Sequence, residues 1–316
     1  MAIPSLKENF TGQVLNPSFG EGSKAVTIGG EKVLPFLSFE GDIPNKPMMA
    51  LEIQDIVPTD WPEVLKKIYD GVSDDPVKWA QFCQKDLNAK AIALRLIGTH
   101  PDQKDRSPEE AAQTVKDVLA AIDVPLIILG SNHIEKDASV LVAASDAAKG
   151  KNCVIGKAQE GNYKTIAASA MASGHKLIAM ADLDINLSKQ LNILITQMGF
   201  PPENLISDPM CSALGYGLEY TYSVMERIRL AALSQNDLTM QPPMLGDVGM
   251  YVWKAKEVAA SEQDLPEWGA LEDRAIVWEV VTAMGMILAG TELLIMRHPK
   301  AIETINKTID ELTTGG

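Results

Sequence analysis

The most constraining feature of this chain is a rhythm: from residue 48 onward, short β-rich apolar runs alternate with amphipathic helical patterns. Parallel strands need a long crossover between them and a helix supplies it, so the alternation predicts βα units around a parallel sheet. Eight runs can be read: "MMALEIQD" (48 to 55), "AIALRLIG" (91 to 98), "PLIILGS" (125 to 131), "CVIGKAQ" (153 to 159), "KLIAMAD" (176 to 182), "NLISDPM" (204 to 210), "PMLGDVG" (243 to 249) and "TELLIMRH" (291 to 298). Eight units in about 265 residues is the size of a (β/α)8 TIM barrel. A doubly wound open sheet would have fewer regular units and a G-x-G-x-x-G fingerprint after its first strand, and the chain contains no such motif.

The intervening helices carry their own punctuation. In "SPEEAAQTVKDVLAAI", Ser107 can cap, Pro108 suits the first turn and Glu110 completes a capping box. Ala111, Val115, Val118, Leu119 and Ile122 then share one face. The segment "DINLSKQLNILITQMGFPP" repeats the device, with Leu187, Leu191, Leu194, Ile195 and Met198 in register and Gly199 as the stop.

Two parts lie outside the repeat. Residues 1–47 read as an N-terminal extension, a glycine-punctuated hairpin that plugs the bottom of the barrel, and residues 48–316 as the barrel itself. The link from Met250 to Gly269 is long for a βα connection, and long βα loops tend to be functional. Helix "IVWEVVTAMGMILAG" is apolar nearly all round, so either a partner subunit or the N-terminal extension should cover it.

Charge narrows the partners. With 28 Lys and Arg against 42 Asp and Glu, the formal charge of −14 repels a phosphate backbone, and nucleic acid is excluded as a partner. Cys83, Cys153 and Cys211 lie far apart with no C-x-x-C pair, so neither a disulfide framework nor a complete iron-sulfur or zinc set can be drawn from them. A reducing cytoplasm is the expected compartment. The N-terminal "MAIPSLKENF" has no basic region followed by an apolar core, so no signal peptide is expected. The most apolar run, residues 275–290, contains Glu279 and is too short for a membrane span; it reads as a buried helix.

In a barrel, chemistry collects where strands finish. The polar residues there are Gln54 and Asp55, Thr99 and His100, Ser131 and Asn132, Lys157 and Gln159, Asp182 and Asp184, Asp208, Asp247, and Arg297 with His298. Each taken alone is equally a helix cap or a strand-end hydrogen bond, because Asp and Ser are favoured at N-caps. His100, His133, His175 and His298 never occur as H-x-x-H or H-x-x-x-H, and neither a G-x-S-x-G elbow nor a P-loop is present. Met210, Met244 and Met250, with Tyr251 and Trp253, give the mouth a lining suited to a flat apolar ligand, or simply pack the loop down.

The segments "LIILGSNHIEKDASVLVAA", "IGKAQEGNYKTIAASAMASGHKLIAMADLDINLSKQLN", "NLISDPMCSALGYGLEYTYSVMERIRLAAL" and "LLIMRHP" make the chain, over essentially its whole length, resemble the small (delta) subunits of the corrinoid iron-sulfur protein of the anaerobic acetyl-CoA pathway. That family is in turn similar in fold to pterin-binding methyltransferase barrels, whose pattern places an Asp after strand three, an Asn after strand four and an Asp-Pro after strand six. Here strand three ends in Gly130-Ser131-Asn132 and strand four in Lys157-Ala158-Gln159, and only Asp208-Pro209 matches. A buried heterocycle missing two of three partners loses about 1–3 kcal/mol for each, which argues against pterin binding and leaves Asp208 to shape the loop after it.

The resemblance implies a heterodimer. A large (gamma) subunit carries a 4Fe-4S cluster and the domain holding cobalamin or a related corrinoid, while the small barrel offers its strand-end face as the opposing wall. The absence of D-x-H-x-x-G around any of the four histidines suits that role. The implied activity is methyl transport from methyltetrahydrofolate, held on a separate methyltransferase, to acetyl-CoA synthase, with a reductive activator as a further partner and the protein supplying geometry and exclusion of water. One corrin face must serve two partners, so the wall has to open, at the interface and in the 250–269 loop. Strand-end position and polar chemistry single out Ser131, Asn132, Gln159, Asp182, Asp208, Asp247, Met250 and His298 as the residues facing the corrinoid. The competing readings are a pterin-dependent methyltransferase acting alone and an aldolase-type enzyme using Lys157 as a Schiff base.

Overall fold

The eight apolar runs close on themselves. In a computed structural model of the chain, which describes residues 7–314, a two-stranded hairpin of β1 (Ser18–Phe19) and β2 (Val26–Thr27) precedes the barrel strands. These are β3 (Met48–Gln54), β4 (Ile92–Arg95), β5 (Leu126–Leu129), β6 (Val154–Ala158), β7 (Lys176–Met180), β8 (Leu205–Asp208), β9 (Met244–Gly246) and β10 (Thr291–Met296). Each pairs in parallel with its successor, and β10 returns to β3 with Leu294 opposite Met49, so no edge is left open.

Side chains alternate between two cores, as the period of two requires. On β3, Met49, Leu51 and Ile53 face the helices, while Met48 and Ala50 point into the barrel. Ala91, Ala93, Ile127, Leu129, Val154, Ile178, Ile206, Leu245, Leu293 and Ile295 complete the inner set. Phe19 and Ile28, from the N-terminal hairpin, belong to this inner cluster and are wholly buried. The hairpin is tied to the starts of the strands: Gly20 N donates to Asn152 O at 2.8 Å, and Asn152 Nδ2 donates to the carbonyls of Ser18 and Gly20 at 3.1 Å. Gly20 has φ +87° and lies so near Pro125 that a Cβ would come within 2.6 Å of its ring, so only glycine fits this turn.

The helices are α1 (Glu63–Ile68), α2 (Pro76–Lys85), α3 (Pro108–Ala121), α4 (Ile134–Ala147), α5 (Tyr163–Ser173), α6 (Ile185–Gln197), α7 (Leu218–Ser234), α8 (Val248–Val252), α9 (Lys256–Ala259), α10 (Leu271–Leu288) and α11 (Pro299–Thr314). The capping box of α3 forms as expected, with Glu110 N donating to Ser107 Oγ at 3.2 Å and Ser107 N to Glu110 Oε2 at 2.7 Å. Helix α6 begins at its Asp184 cap, but its buried face is Ser188, Leu191, Asn192 and Ile195, while Leu187 and Met198 are exposed. The expected stripe packs inward only in part because a polar residue competes for the inside: Asn192 Nδ2 donates to Ser207 Oγ at 3.0 Å and to Thr239 O at 2.9 Å.

The stretch 250–269 is not an open loop. It folds into α8, α9 and a short turn, burying Trp253, Ala255 and Val258. On α10, Trp278 and Met286 face inward, whereas Val277, Val281 and Leu288 form an exposed stripe. The extension reaches the far end of this helix, where Pro35, Phe36 and Ile43 come together with Ile287. Among the described residues no helix is long and apolar enough to cross a membrane.

Phe19→Ala should open a cavity at the floor of the barrel and destabilise the chain by about 3–5 kcal/mol, read as a lower urea midpoint at unchanged slope. An unchanged midpoint would mean that the hairpin does not help to hold the barrel closed.

Candidate functional site

The inward parity of the strands does not stop at their apolar residues. Continuing the count on β3 gives Glu52 and Gln54, on β4 Arg95, on β8 Asp208, past β9 Asp247 and past β10 Arg297. Lys157 joins them from β6, where the register against β7 shifts between Ile155 and Ala158 and the ladder's regular alternation is broken. All these side chains are buried. They form one layer above the apolar interior and below the strand-end loops.

The layer is neutral within itself, with Arg95, Lys157 and Arg297 set against Glu52, Asp208 and Asp247. Asp247 accepts from Arg95 at 2.8 and 2.9 Å and from Lys157 Nζ at 2.7 Å. Neither β4 nor β6 neighbours β9 in the sheet, so these bonds cross the inside of the barrel. Lys157 Nζ also lies 2.8 Å from Asp208 Oδ2. Glu52 takes Arg95 at 3.1 Å, Arg297 at 2.8 Å and the Gln54 amide at 3.3 Å.

Burial alone would raise the Asp247 carboxyl, but Arg95 and Lys157 overcome it and hold the group well below the usual carboxylate range. Glu52 behaves likewise: burial raises it, and Arg297 with Arg95 brings it net downward. Asp208 has one cation instead of two, so burial prevails and its carboxyl is raised. Burial would lower the Lys157 ammonium, yet Asp208 and Asp247 raise it above its ordinary value. An amine kept protonated in this way has no lone pair for a carbonyl carbon, so the geometry does not favour a Schiff base at Lys157.

Asp208 does two things at once. Its Oδ1 accepts from Met210 N at 2.9 Å and turns the loop after β8, while Oδ2 faces Lys157. Ser131 and Asn132 are occupied locally: Ser131 N and Oγ both donate to Asp137 Oδ1 at 2.9 Å, and Asn132 N donates to Asp137 Oδ2 at 2.9 Å, with Asn132 at φ 70°. Gln159 and Asp182 come together across neighbouring loops, lining a cavity of about 350 Å³ floored by Met180, Leu191 and Leu194. Met250 is half-buried at the start of the 250–269 stretch. His298 stands apart, stacked on Trp253 at 6.0 Å between ring centroids.

His298 and Trp253 share a third partner that strand-end reasoning passed over. The carboxylate of Glu279, wholly buried on α10, accepts from Trp253 Nε1 at 3.0 Å, Arg297 N at 2.8 Å and His298 N at 3.1 Å. Burial is the largest influence on this carboxyl and pushes it up to about 7, against the pull of those hydrogen bonds. Glu279 thereby joins the 250–269 stretch to the end of β10.

Every histidine is committed in the same way. The Nδ1 of His100, His133, His175 and His298 accepts a backbone N–H, from Asp102, Lys136, Cys153 and Lys300 respectively, at 3.1–3.2 Å. A neutral imidazole that accepts at Nδ1 carries its proton on Nε2, so neither nitrogen is free to ligate a metal without giving up that bond. Burial raises the thiols of Cys83, Cys153 and Cys211, the opposite of what a thiolate ligand needs. Among the described residues no group of three or more His, Cys, Asp or Glu is placed to hold a metal ion.

A family model described as CO dehydrogenase/acetyl-CoA synthase delta subunit matches residues 17–305. The acetyl-CoA decarbonylase/synthase complex subunit delta of Methanosarcina mazei is 37% identical over 298 residues, covering 93% of this chain and 67% of the relative. Its counterpart from Methanocaldococcus jannaschii is 34% identical over 314 residues, covering 97% of this chain and 76% of the relative. Among solved structures, dihydropteroate synthase of Yersinia pestis in a sulfonamide complex superposes with a TM-score of 0.57 at 14% identity, over 86% of this chain and 95% of that one. The enzyme of Xanthomonas albilineans with 4-aminobenzoic acid gives 0.56 at 14% identity, over 95% and 97%. At that identity the likeness shows a shared barrel fold and nothing finer.

Asp247→Asn removes the anion shared by two buried cations and leaves Arg95 with Glu52 alone and Lys157 with Asp208 alone, at an expected cost of about 3–5 kcal/mol. Asp208→Asn should cost less, because Lys157 keeps Asp247; equal urea midpoints for the two variants would contradict this ranking. Glu279 makes stability depend on pH. Its folded value of about 7 lies above the ordinary value of 4.5, so the folded chain binds the proton more tightly, and the contribution is whole below pH 4.5 and lost as the pH rises through 7. The stability advantage over Glu279→Gln should shrink by about 3 kcal/mol across that window, measured by denaturant titration at each pH.

Proposed function

The chain belongs to the CO dehydrogenase/acetyl-CoA synthase delta-subunit family, and on that premise we propose that it is a non-catalytic wall in a heterodimeric corrinoid methyl carrier. In this reading a large, gamma-type subunit holds the corrinoid and a 4Fe-4S cluster, and the strand-end face of this barrel closes over the macrocycle. The carrier takes a methyl group from methyltetrahydrofolate through a separate methyltransferase and delivers it to acetyl-CoA synthase, with a reductive activator restoring the cofactor.

The observation that carries the reading is the self-neutralised ion layer. An active site at a barrel mouth keeps charges or nucleophiles available to a substrate, whereas here Glu52, Arg95, Lys157, Asp208, Asp247 and Arg297 are buried and occupied with one another. The donor set agrees. Four histidines tied at Nδ1 and three separate buried thiols do not fit cobalt ligation or cluster binding by this chain. In this reading ligation falls to another polypeptide, and this one contributes shape and exclusion of solvent. The rim available for that purpose includes Met250 and the cavity between Gln159 and Asp182.

Purified alone, the chain should contain no cobalt and bind no methyltetrahydrofolate. Co-expressed with a cluster-bearing large subunit, it should copurify as a one-to-one complex whose cobalt and iron stay with the large subunit when the two are separated. Methyltetrahydrofolate binding by the isolated chain, abolished by Asp208→Asn, would instead establish the pterin-dependent methyltransferase reading.

A further inference from the structure

The N-terminal extension meets the barrel at a second place besides its hairpin, and there the charges do not cancel. Glu31 comes from the extension, Glu292 from the start of β10 and Arg229 from α7. All three are buried, at 8%, 5% and 1% exposure respectively. One nitrogen faces both acids: Arg229 Nη2 donates to Glu292 Oε1 and to Gly290 O, and lies 3.7 Å from Glu31 Oε1. Nε and Nη1 of the same guanidinium have no acceptor. Among the described residues lining the seam, a further charge is Lys46, which is 2.7 Å from Asp310 of α11.

Two ionised carboxyls against one guanidinium would leave a net negative charge where there is little water to solvate it, and a group so placed takes up a proton instead. The hydrogen bonds agree. Glu292 uses Oε1 to accept from Arg229 and Oε2 to accept from Met244 N at 2.6 Å. Glu31 Oε2 is buried with no donor from the chain. The two carboxyls meet within hydrogen-bonding reach, and a proton on one of them is a donor that the other can accept. Burial is the largest influence on the Glu292 carboxyl, Arg229 pulls against it and Glu31 adds to it, so the group stands well above its ordinary value.

We propose that Glu31 and Glu292 share one proton in the folded chain, and that this proton latches the extension to the end of the barrel where the strands begin. When the pair ionises, two like charges face one another across the seam and the extension lifts, uncovering Ile287 where Phe36 and Ile43 had met it. A proton kept by the closed seam and given up on opening makes closure weaken as the pH rises. The contribution is whole below the ordinary value of 4.5 and lost as the pH passes upward through the folded value of the pair.

The test compares the wild-type chain with Glu31→Gln, whose amide can donate to Glu292 but has no proton to lose in this range. Between about pH 6 and about pH 8, the unfolding constant of the wild type divided by that of Glu31→Gln should rise about tenfold per pH unit, the signature of one retained proton. Glu279 titrates in both proteins and cancels in the ratio. Trypsin cleavage of the native chain after Lys32, exposed within the extension, should quicken in the wild type relative to Glu31→Gln over the same range. At about pH 8 the infrared band of a protonated carboxyl should be present in the wild type and missing from both Glu31→Gln and Glu292→Gln. The proposal is overturned if the ratio of unfolding constants does not change with pH, if the cleavage ratio stays level, or if the band survives in Glu31→Gln, which would leave the proton to Glu292 alone.

Discussion

Asp247 reaches across the inside of the barrel to Arg95 and Lys157, and the upper half of the structure is organised around that one carboxylate. Parity on β3, β4 and β8 and past β9 and β10, with the register shift of β6, places six charged side chains in a buried space. They are tolerable there only if the charges cancel at hydrogen-bond distance. Asp247 reaches both cations from across the ring, since β4 and β6 flank β5 and neither neighbours β9. With Lys157 fixed, Asp208 can be buried. With Arg95 fixed, Glu52 has a charge left over for Arg297. Such a layer adds little net stability over an apolar one, but it leaves no slack, because removing any member exposes another to a desolvated environment.

Much of this was legible in the sequence, unevenly and for identifiable reasons. The eight strands follow from the βα rhythm, and inward parity carries Glu52 and Arg95 to the axis even though both sit within otherwise apolar runs. Strand-end reasoning missed these two, since it looked for polar residues after the runs and not inside them. A charge at an inward position of a barrel strand is the signal that would have found them. Lys157 is less accessible to such counting, because its direction depends on a register shift between β6 and β7 that no local pattern announces. Ser131, Asn132 and Asp137 form a closed turn whose partner lies on the following helix, so their strand-end position says nothing about whether they face a ligand. Helix α6 shows the converse limit: Leu191, Leu194 and Ile195 pack inward as their spacing predicts, but Leu187 and Met198 are exposed, because a buried Asn with two good acceptors competes for the inside.

Glu279 connects the two levels of description. In the sequence it interrupts the most apolar run of the chain, and in the structure it is the anchor for three donors from two separate segments. A carboxylate can accept several hydrogen bonds while an apolar side chain accepts none, so one polar residue on a buried helix can order the end of β10 and Trp253 together. The N-cap of α11 and the stacked pair of His298 and Trp253 follow from the same anchor. What looked from the sequence like a long open connection is for this reason a folded wall with its aromatic residue turned inward.

The two ends of the barrel are closed by opposite physics, and the contrast bears on what the molecule can do. At the floor, Phe19 and Ile28 fill the interior with apolar volume donated by the N-terminal extension, a seal that is strong but chemically inert. At the mouth, an ion layer fills the same cross-section with groups that are reactive in principle and committed in practice. A barrel closed in this way pairs the charges along its axis with one another, while Arg95 Nε and Nη1 and Arg297 Nε are left without an acceptor. Contact at that end of the barrel is left to the rim, where Gln159 and Asp182 line a cavity and Met250 is half-buried.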